Sequence, residues 1–360
     1  MMSTTSHTSD HPPGARERLP RATRLSARHV ALAAALVAAV ATGSVLLGAI
    51  DLGWQRVLGE VVAQLTGGTS PLSEREAAIL WQLRVPRVVL AGLVGAALAG
   101  SGAAYQGVFR NPLADPYLLG AAAGAGLGAT LVLVVAPGAG HGALGPLPLA
   151  AFVGAVGGVA LSWVLGRSAG NGTATLVLAG VAVSAFLTAA QTFVQQLRGE
   201  TLREVYTWML GGLGTTGWDE VLVVLPYLAA AAVVLCLSGR LLDLLALGDE
   251  EAGALGLRPG VVRVVVLAAA SLATAAAVAV SGLIGFVGIV VPHLVRLAVA
   301  GSYRVVLPLS LLGGAGFLVL ADTVARTVLA PAELPVGVIT AFAGAPFFAL
   351  VLRRTRGRVR

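Results

Sequence analysis

Ten apolar stretches run through this 360-residue chain, and almost no ionisable side chain lies inside any of them. A helix needs ~20 apolar residues to cross the hydrocarbon core of a bilayer. A charge held at that depth is costly and usually functional. The chain is therefore expected to be an all-α polytopic membrane protein with ten transmembrane helices. Ala, Val, Leu and Gly build the spans. Such a wall lets a large solute slide, and it offers little to carry a proton or a sodium ion.

Composition agrees. Hydrophobic residues make up 57% and charged residues 11%, against about 45–50% and about 25% in soluble domains. The isoelectric point of 10.6 could suggest nucleic acid. Basic residues flanking spans as topology signals explain it better, so no nucleic-acid partner is expected. All 24 basic side chains are arginine. A P-loop needs a lysine on the β/γ-phosphates, so this chain cannot carry one, and if ATP is used another chain binds it. Cys236 is the single cysteine. It excludes a disulfide framework within the chain and is expected to be a small buried hydrophobe.

The spans are expected near residues 29–50, 85–107, 113–136, 147–167, 174–196, 219–241, 262–282, 284–300, 305–328 and 336–352. A polar cytoplasmic tail, 1–27, precedes the membrane domain, 28–352, and a basic cytoplasmic tail, 353–360, follows it. The first stretch could pass for a signal peptide. Its length and the nine spans after it favour an uncleaved helix. With both termini inside, 17 of the 24 arginines fall on the cytoplasmic side, as the positive-inside rule requires. Spans two to five and seven to ten form two sets of four entered from opposite faces. An inverted repeat of this kind is common in transporters. Small residues four apart, Gly92-Ala96-Gly100 and Gly120-Gly124-Gly128, are expected to bring helix backbones close together.

Four clusters stand out. Arg84 and Arg87, in WQLRVPR, lie outside, against the charge trend, and Arg326 joins them at the outer end of the ninth span. They are either interfacial anchors or a cationic patch for an acidic partner. Asn111, Pro112, Asp115 and Pro116 form an inner-face turn that cannot continue a helix. The inner connection 241–260 carries Asp249, Glu250 and Glu251, suited to the first turn of a short helix. Gly256 can end that helix and Pro259 prevents its continuation. His293 has no second histidine at ligand spacing, so no metal site is expected. No nucleophile and base stand together, which disfavours an enzyme. A secondary transporter coupled to H⁺ or Na⁺ would need midplane acids or polar helix breaks, and the spans lack such acids.

These residues resemble the FecCD-type permeases of ABC importers for iron–siderophores, haem and vitamin B12, over roughly 78–353. The matching blocks are WQLRVPR, GAALAGSGAAYQGVFRNPLADPYLLGAAAGAGLG, LVLAGVAVSA, YTWMLGGLG, LALGDEEAGALGL, SGLIGFVGIVVPHLVRLAVAG, LPLSLLGGAGFLVLADTVAR and ELPVGVITAFAGAPFF. The resemblance implies a multi-pass permease in the cell membrane that binds no cofactor itself. It implies a second permease subunit, either a second copy or a sister chain. Two ATPases would bind ATP and Mg, and an extracytoplasmic binding protein would deliver cargo. It assigns docking of that protein to Arg84, Arg87 and Arg326. It assigns ATPase coupling to Gly248, Asp249, Glu250, Glu251, Gly253, Leu255 and Gly256, and an inner gate to Thr173 and Ala174. One departure is visible: where the family often has Asp-His-Arg, this chain has Ser302-Tyr303-Arg304. Iron–siderophore leads as cargo, with vitamin B12 and haem as alternatives.

Overall fold

The computed structural model describes residues 25–356 apart from 49, 139–141, 171, 215–216 and 300. Most of the N-terminal tail and the last four residues of the C-terminal tail therefore lie outside the described residues. The chain is all-α, with no strand among the described residues. Its helices are α1 (Ala27–Leu46), α2 (Trp54–Thr66), α3 (Glu74–Ala78), α4 (Val85–Phe109), α5 (Ala121–Val135), α6 (Pro146–Ala169), α7 (Thr173–Leu197) and α8 (Leu202–Met209). They continue as α9 (Trp218–Leu237), α10 (Gly239–Leu245), α11 (Asp249–Ala254), α12 (Pro259–Ser281), α13 (Val287–Ala298), α14 (Tyr303–Thr327) and α15 (Val336–Arg356). Among the described residues, seven helical segments are long and apolar enough to cross a membrane, and α5, α13 and the apolar part of α15 are shorter.

α4 is the axis of the bundle. Of the best apolar window in the segment Glu74–Phe109, 78% is buried by the rest of the chain, against 6% for α1. Glycine explains how α4 comes so close to its neighbours. A Cβ on Gly95 would sit 2.1 Å from the Gly314 carbonyl oxygen, and one on Gly102 would sit 2.0 Å from that of Gly288. In lipid, apolar side chains gain little by leaving one apolar medium for another, so close van der Waals contact carries helix association. Of the flagged stripes, Gly124 and Gly128 behave as expected, since a Cβ on either would sit 2.0 or 2.1 Å from a carbonyl oxygen of α6. Gly92 does not, because its Cβ would meet only side chains at 3.9 Å.

Two expected spans begin later than their hydropathy suggests. The span placed at 113–136 starts with a 3₁₀ turn, Pro116–Leu119, and a left-handed Gly120 before α5. The span placed at 284–300 starts with non-helical residues after Gly282, and Phe286 is left-handed at φ 68° before α13. Hydropathy averages over both breaks: Pro116 alone marks the first as unable to continue a helix, and residues 283–286 of the second are apolar throughout. Irregular backbone at membrane depth must be satisfied by protein, and here it is. The Tyr117 hydroxyl donates to the Ile284 carbonyl at 3.1 Å and accepts from the Ile284 amide at 3.2 Å. The Gly212 amide donates to the Ser281 carbonyl. In both sets of four, the interruption follows the long first helix, α4 or α12.

Three further differences are local. α2, which sequence reading left unassigned, exposes Trp54, Leu58, Val62 and Leu65 on one face, the pattern of a helix lying in an interface. α15 runs four residues into the expected tail. Cys236 is exposed rather than buried.

Beneath α2, the buried Glu60 accepts from Ser70, Gln64 and the Trp81 indole. These donors, Ser70 foremost, hold its carboxyl below the usual range. A depressed folded pKa stabilises fully above the unfolded value, ~4.3. That contribution is lost as pH falls through the folded value. Trp81 emission, read against Trp81→Phe, should therefore stay flat from neutral pH to about 4.3 and change only below it. A transition near neutral pH would contradict this role for Glu60, and Glu60→Gln should remove the acid transition.

Candidate functional site

Two polar clusters sit at opposite ends of α4. At the end assigned to the outside, a π-helical turn, Ile79–Arg84, leads into α4 and carries Arg84. The last carbonyls of a helix have no partner within it, and Arg84 and Arg326 supply partners for α1. Arg84 donates to the carbonyls of Val45, at 3.3 Å, and Ile50. Arg326 donates to the Leu47 carbonyl at 2.7 Å, to the Ser44 hydroxyl at 2.7 Å and to the Ser44 carbonyl. Both arginines are buried, at 7% and 6% exposure.

Arg87 faces two carboxylates. Its Nε lies 3.1 Å from both Asp322 oxygens and its Nη2 2.8 Å from Oδ1. Nη1 and Nη2 each meet one Glu333 oxygen at 3.0 Å. Asp322 is fully buried and also lies 3.4 Å from Arg326, one helical turn away. Glu333 is half exposed. The three arginines thus converge, but they do not stand free. Arg84 and Arg326 are covered because helix-end carbonyls hold them. Of the three, Arg87 has the partner that reaches the surface. Asp322 is not among the sequence-predicted site residues. Its i, i+4 spacing to Arg326 was the available signal.

At the other end, α11 forms where Asp249, Glu250 and Glu251 fill its first turn. Gly248 precedes it at φ 136° and Gly256 follows at φ 83°, conformations that glycine adopts without strain. The Leu257 amide returns to the Ala252 carbonyl and the Gly256 amide to Gly253, closing the helix end. Only Ala252 of this helix is buried, and Leu247 and Leu255 are exposed beside it. Asp249 ties α11 to the bundle. Arg263 of α12 donates to it at 2.6 and 2.8 Å, and Arg110 at the end of α4 donates to it as well. Partial burial opposes its ionised form, but Arg263 and then Arg110 outweigh that and hold its carboxyl below the usual range. Sequence reading found Asp249 and linked neither arginine to it: Arg110 lies 139 residues away, and Arg263 sits on a separate helix 14 residues on.

The turn before α5 is built as its residues suggest. Asn111 accepts from the Leu113 amide and Asp115 from the Tyr117 amide, with Pro112 and Pro116 between and after them. Thr173 and Ala174 open α7. Thr173 lines a cleft of about 610 Å³ that Asp249 and Arg263 also line. His293 packs edge-on against Phe347. No group of three metal-binding side chains is present among the described residues.

With this geometry in view, the relatives are informative. The sequence pattern of the FecCD transport family matches residues 34–354. The cobalamin import system permease protein of Halobacterium salinarum is 44% identical over 282 residues, 76% of this chain and 73% of the relative. A permease protein of Helicobacter pylori, named for iron chelatin transport, is 38% identical over 337 residues, 92% of this chain and 99% of the relative. A solved inward-facing structure, assigned to the metal-chelate type of ABC transporter, superposes with a TM-score of 0.78 at 28% identity. That likeness covers 91% of this chain and 99% of the other. This multi-pass cell-membrane chain belongs to the FecCD transport family, the permease subunits of ABC importers.

Proposed function

We propose that this permease carries an iron(III)–siderophore complex inward by alternating access, driven by ATP hydrolysis on two separate ATPase chains. A binding protein delivers the cargo, and a second permease subunit, a copy or a sister chain, completes the path. The observation that carries this reading is the build of α4. It holds Arg87 with its carboxylates at one end and, through Arg110 and Asp249, the exposed helix α11 at the other. The 23 residue steps from Arg87 to Arg110 span ~35 Å, enough to cross a bilayer. Closure of the ATPase dimer against residues 248–256 would move α11, and Asp249 would pass that motion to α4 and α12. Thr173 and Ala174, at the start of α7, would then open or close the inner end. ATP and Mg belong to the ATPase.

The outer cluster would receive an acidic face of the binding protein. Arg87 makes the contact by exchanging Glu333 for an incoming carboxylate, and Arg84 and Arg326 hold α1 in place around it. The relative named for iron chelatin matches nearly end to end, which favours an iron chelate. The 44% identity to the cobalamin permease keeps vitamin B12 as the second reading, with haem after it.

The test is reconstitution with the cognate ATPase and binding protein. Radioiron-labelled siderophore should accumulate on ATP addition, and labelled cyanocobalamin and haem should not. Arg87→Glu should cut uptake at least about tenfold, as expected for a reversed interfacial charge, with a melting profile recorded to separate docking from folding. Cysteines at Glu250 or Glu251 should crosslink to the ATPase. An active complex that yields no such crosslink would remove α11 from coupling, and cobalamin uptake alone would reassign the cargo.

A further inference from the structure

α6 and α12 pack side by side, and each presents an apolar stripe that ends on an arginine. On α6 the stripe is Val156, Val159, Ala160, Trp163 and Val164, with Arg167 next at helical spacing. On α12, which runs the other way, it is Leu272, Ser271, Ala268, Leu267 and Val264, with Arg263 beside it. α6 ends where α12 begins, so both arginines reach the same end. An apolar groove of about 500 Å³ lies between the stripes. The cleft of about 610 Å³ that holds Arg167 and Arg263 shares Trp163 and Val264 with it as walls.

The dimensions match one lipid leaflet. From Arg167 back to Val156, and from Arg263 on to Leu272, the stripes run ~14–17 Å at 1.5 Å per residue. Half of a ~30 Å hydrocarbon core is ~15 Å. The charges also match an anionic head. Arg167 is exposed and has no hydrogen-bond or ion-pair partner among the described residues. Arg263 uses Nη2 on Asp249, while its Nε is buried with no partner among the described residues. Asp249 is the carboxylate lining the cleft, and Arg110 and Arg263 already hold it. The cleft lining thus carries two arginines against one carboxylate, an excess of one positive charge, and Arg110 shares that carboxylate from outside the cleft. Basic pockets between transmembrane helices on this side of a membrane suit anionic lipid headgroups.

We propose that α6 and α12 bind one anionic phospholipid, its phosphate between Arg167 and Arg263 and an acyl chain along the groove past Trp163. A free phosphate would leave the groove unused, and a phosphatidylcholine, whose choline cation offsets its phosphate, would leave the positive excess unmatched. The proposal rests on membrane insertion and not on the cargo reading, so the two can fail separately.

The test uses the full chain in phosphatidylcholine nanodiscs doped with brominated phosphatidylglycerol or brominated phosphatidylcholine. Trp163 emission is read as the difference from Trp163→Phe. Brominated phosphatidylglycerol should quench Trp163 at a lower mole fraction than brominated phosphatidylcholine. Arg167→Gln should weaken that preference about fivefold, the effect of one arginine near an anionic lipid surface. Arg167 has no partner to orphan, so this variant should melt like the parent. Arg167→Gln with Arg263→Gln should abolish the preference, and Ala268→Leu, which fills the groove, should reduce quenching by both lipids. Three results would overturn the proposal. One is equal quenching by the two lipids in the parent protein. Another is relief of quenching by inorganic phosphate alone. The third is efficient disulfide formation between Ala160→Cys copies, which would give the groove to a second copy of the chain.

Discussion

Asp322→Ala is expected to cost about 3–5 kcal/mol, because it strands buried positive charge. Against a total stability of about 5–15 kcal/mol, that removes between about a fifth and all of the margin. Asp322 is the carboxylate that meets Arg87 on one side, at 2.8 Å, and Arg326 on the other, at 3.4 Å. Both arginines are at least seven-eighths buried. Without Asp322, Arg326 would keep its carbonyl partners on α1 but lose its counter-charge, and Arg87 would keep only Glu333 on the surface. Glu333→Gln is the companion measurement. That carboxylate is 46% exposed, so its pair with Arg87 is screened and worth about 1 kcal/mol or less. Thermal unfolding of the detergent-solubilised protein, followed by size-exclusion fluorescence, should show a large loss for Asp322→Ala and little for Glu333→Gln. Equal losses would mean that the ion pair is not what anchors this end of α4.

The same cluster shows what the sequence could and could not say. The outer arginines were visible because they break the positive-inside trend, and Arg326 was visible from its block. That two of them close the end of α1 was not visible, because the acceptors are backbone carbonyls, which leave no mark in side-chain chemistry. The short inner helix α11 was legible almost to the residue. Its acidic first turn, Gly248, Gly256 and Pro259 are all local signals, and local signals survive folding. Its tether was not, since Arg110 and Arg263 meet Asp249 only after α4 and α12 have packed. Hydropathy found the apolar stretches but not the breaks at Pro116–Gly120 and Gly282–Phe286. Those breaks depend on which polar groups a neighbour offers, here the Tyr117 hydroxyl.

The glycines of α4 divide in the same way, and they carry the other large expected effect. Gly102→Ala should destabilise by about 1–3 kcal/mol, the range for overpacking a tight interior. Its Cβ would meet Gly288 at 2.0 Å from the carbonyl oxygen and 2.5 Å from Cα. Backbone is what it strikes, so no side chain can swing aside, and the facing residue is already glycine and cannot shrink. α13 would have to move, and the irregular segment that leads into it from α12 would move with it. Gly92→Ala, three turns earlier on the same helix, should do the opposite. Its Cβ meets only side chains at 3.9 Å, and alanine in a helix interior is better than glycine by roughly 0.5–1 kcal/mol. The two variants make the same chemical change in one helix, so a difference of sign in the melting shift isolates the helix–helix contact. If both shift the melting temperature alike, helix propensity alone is at work, and the close approach of α4 to α13 is not what holds the bundle together.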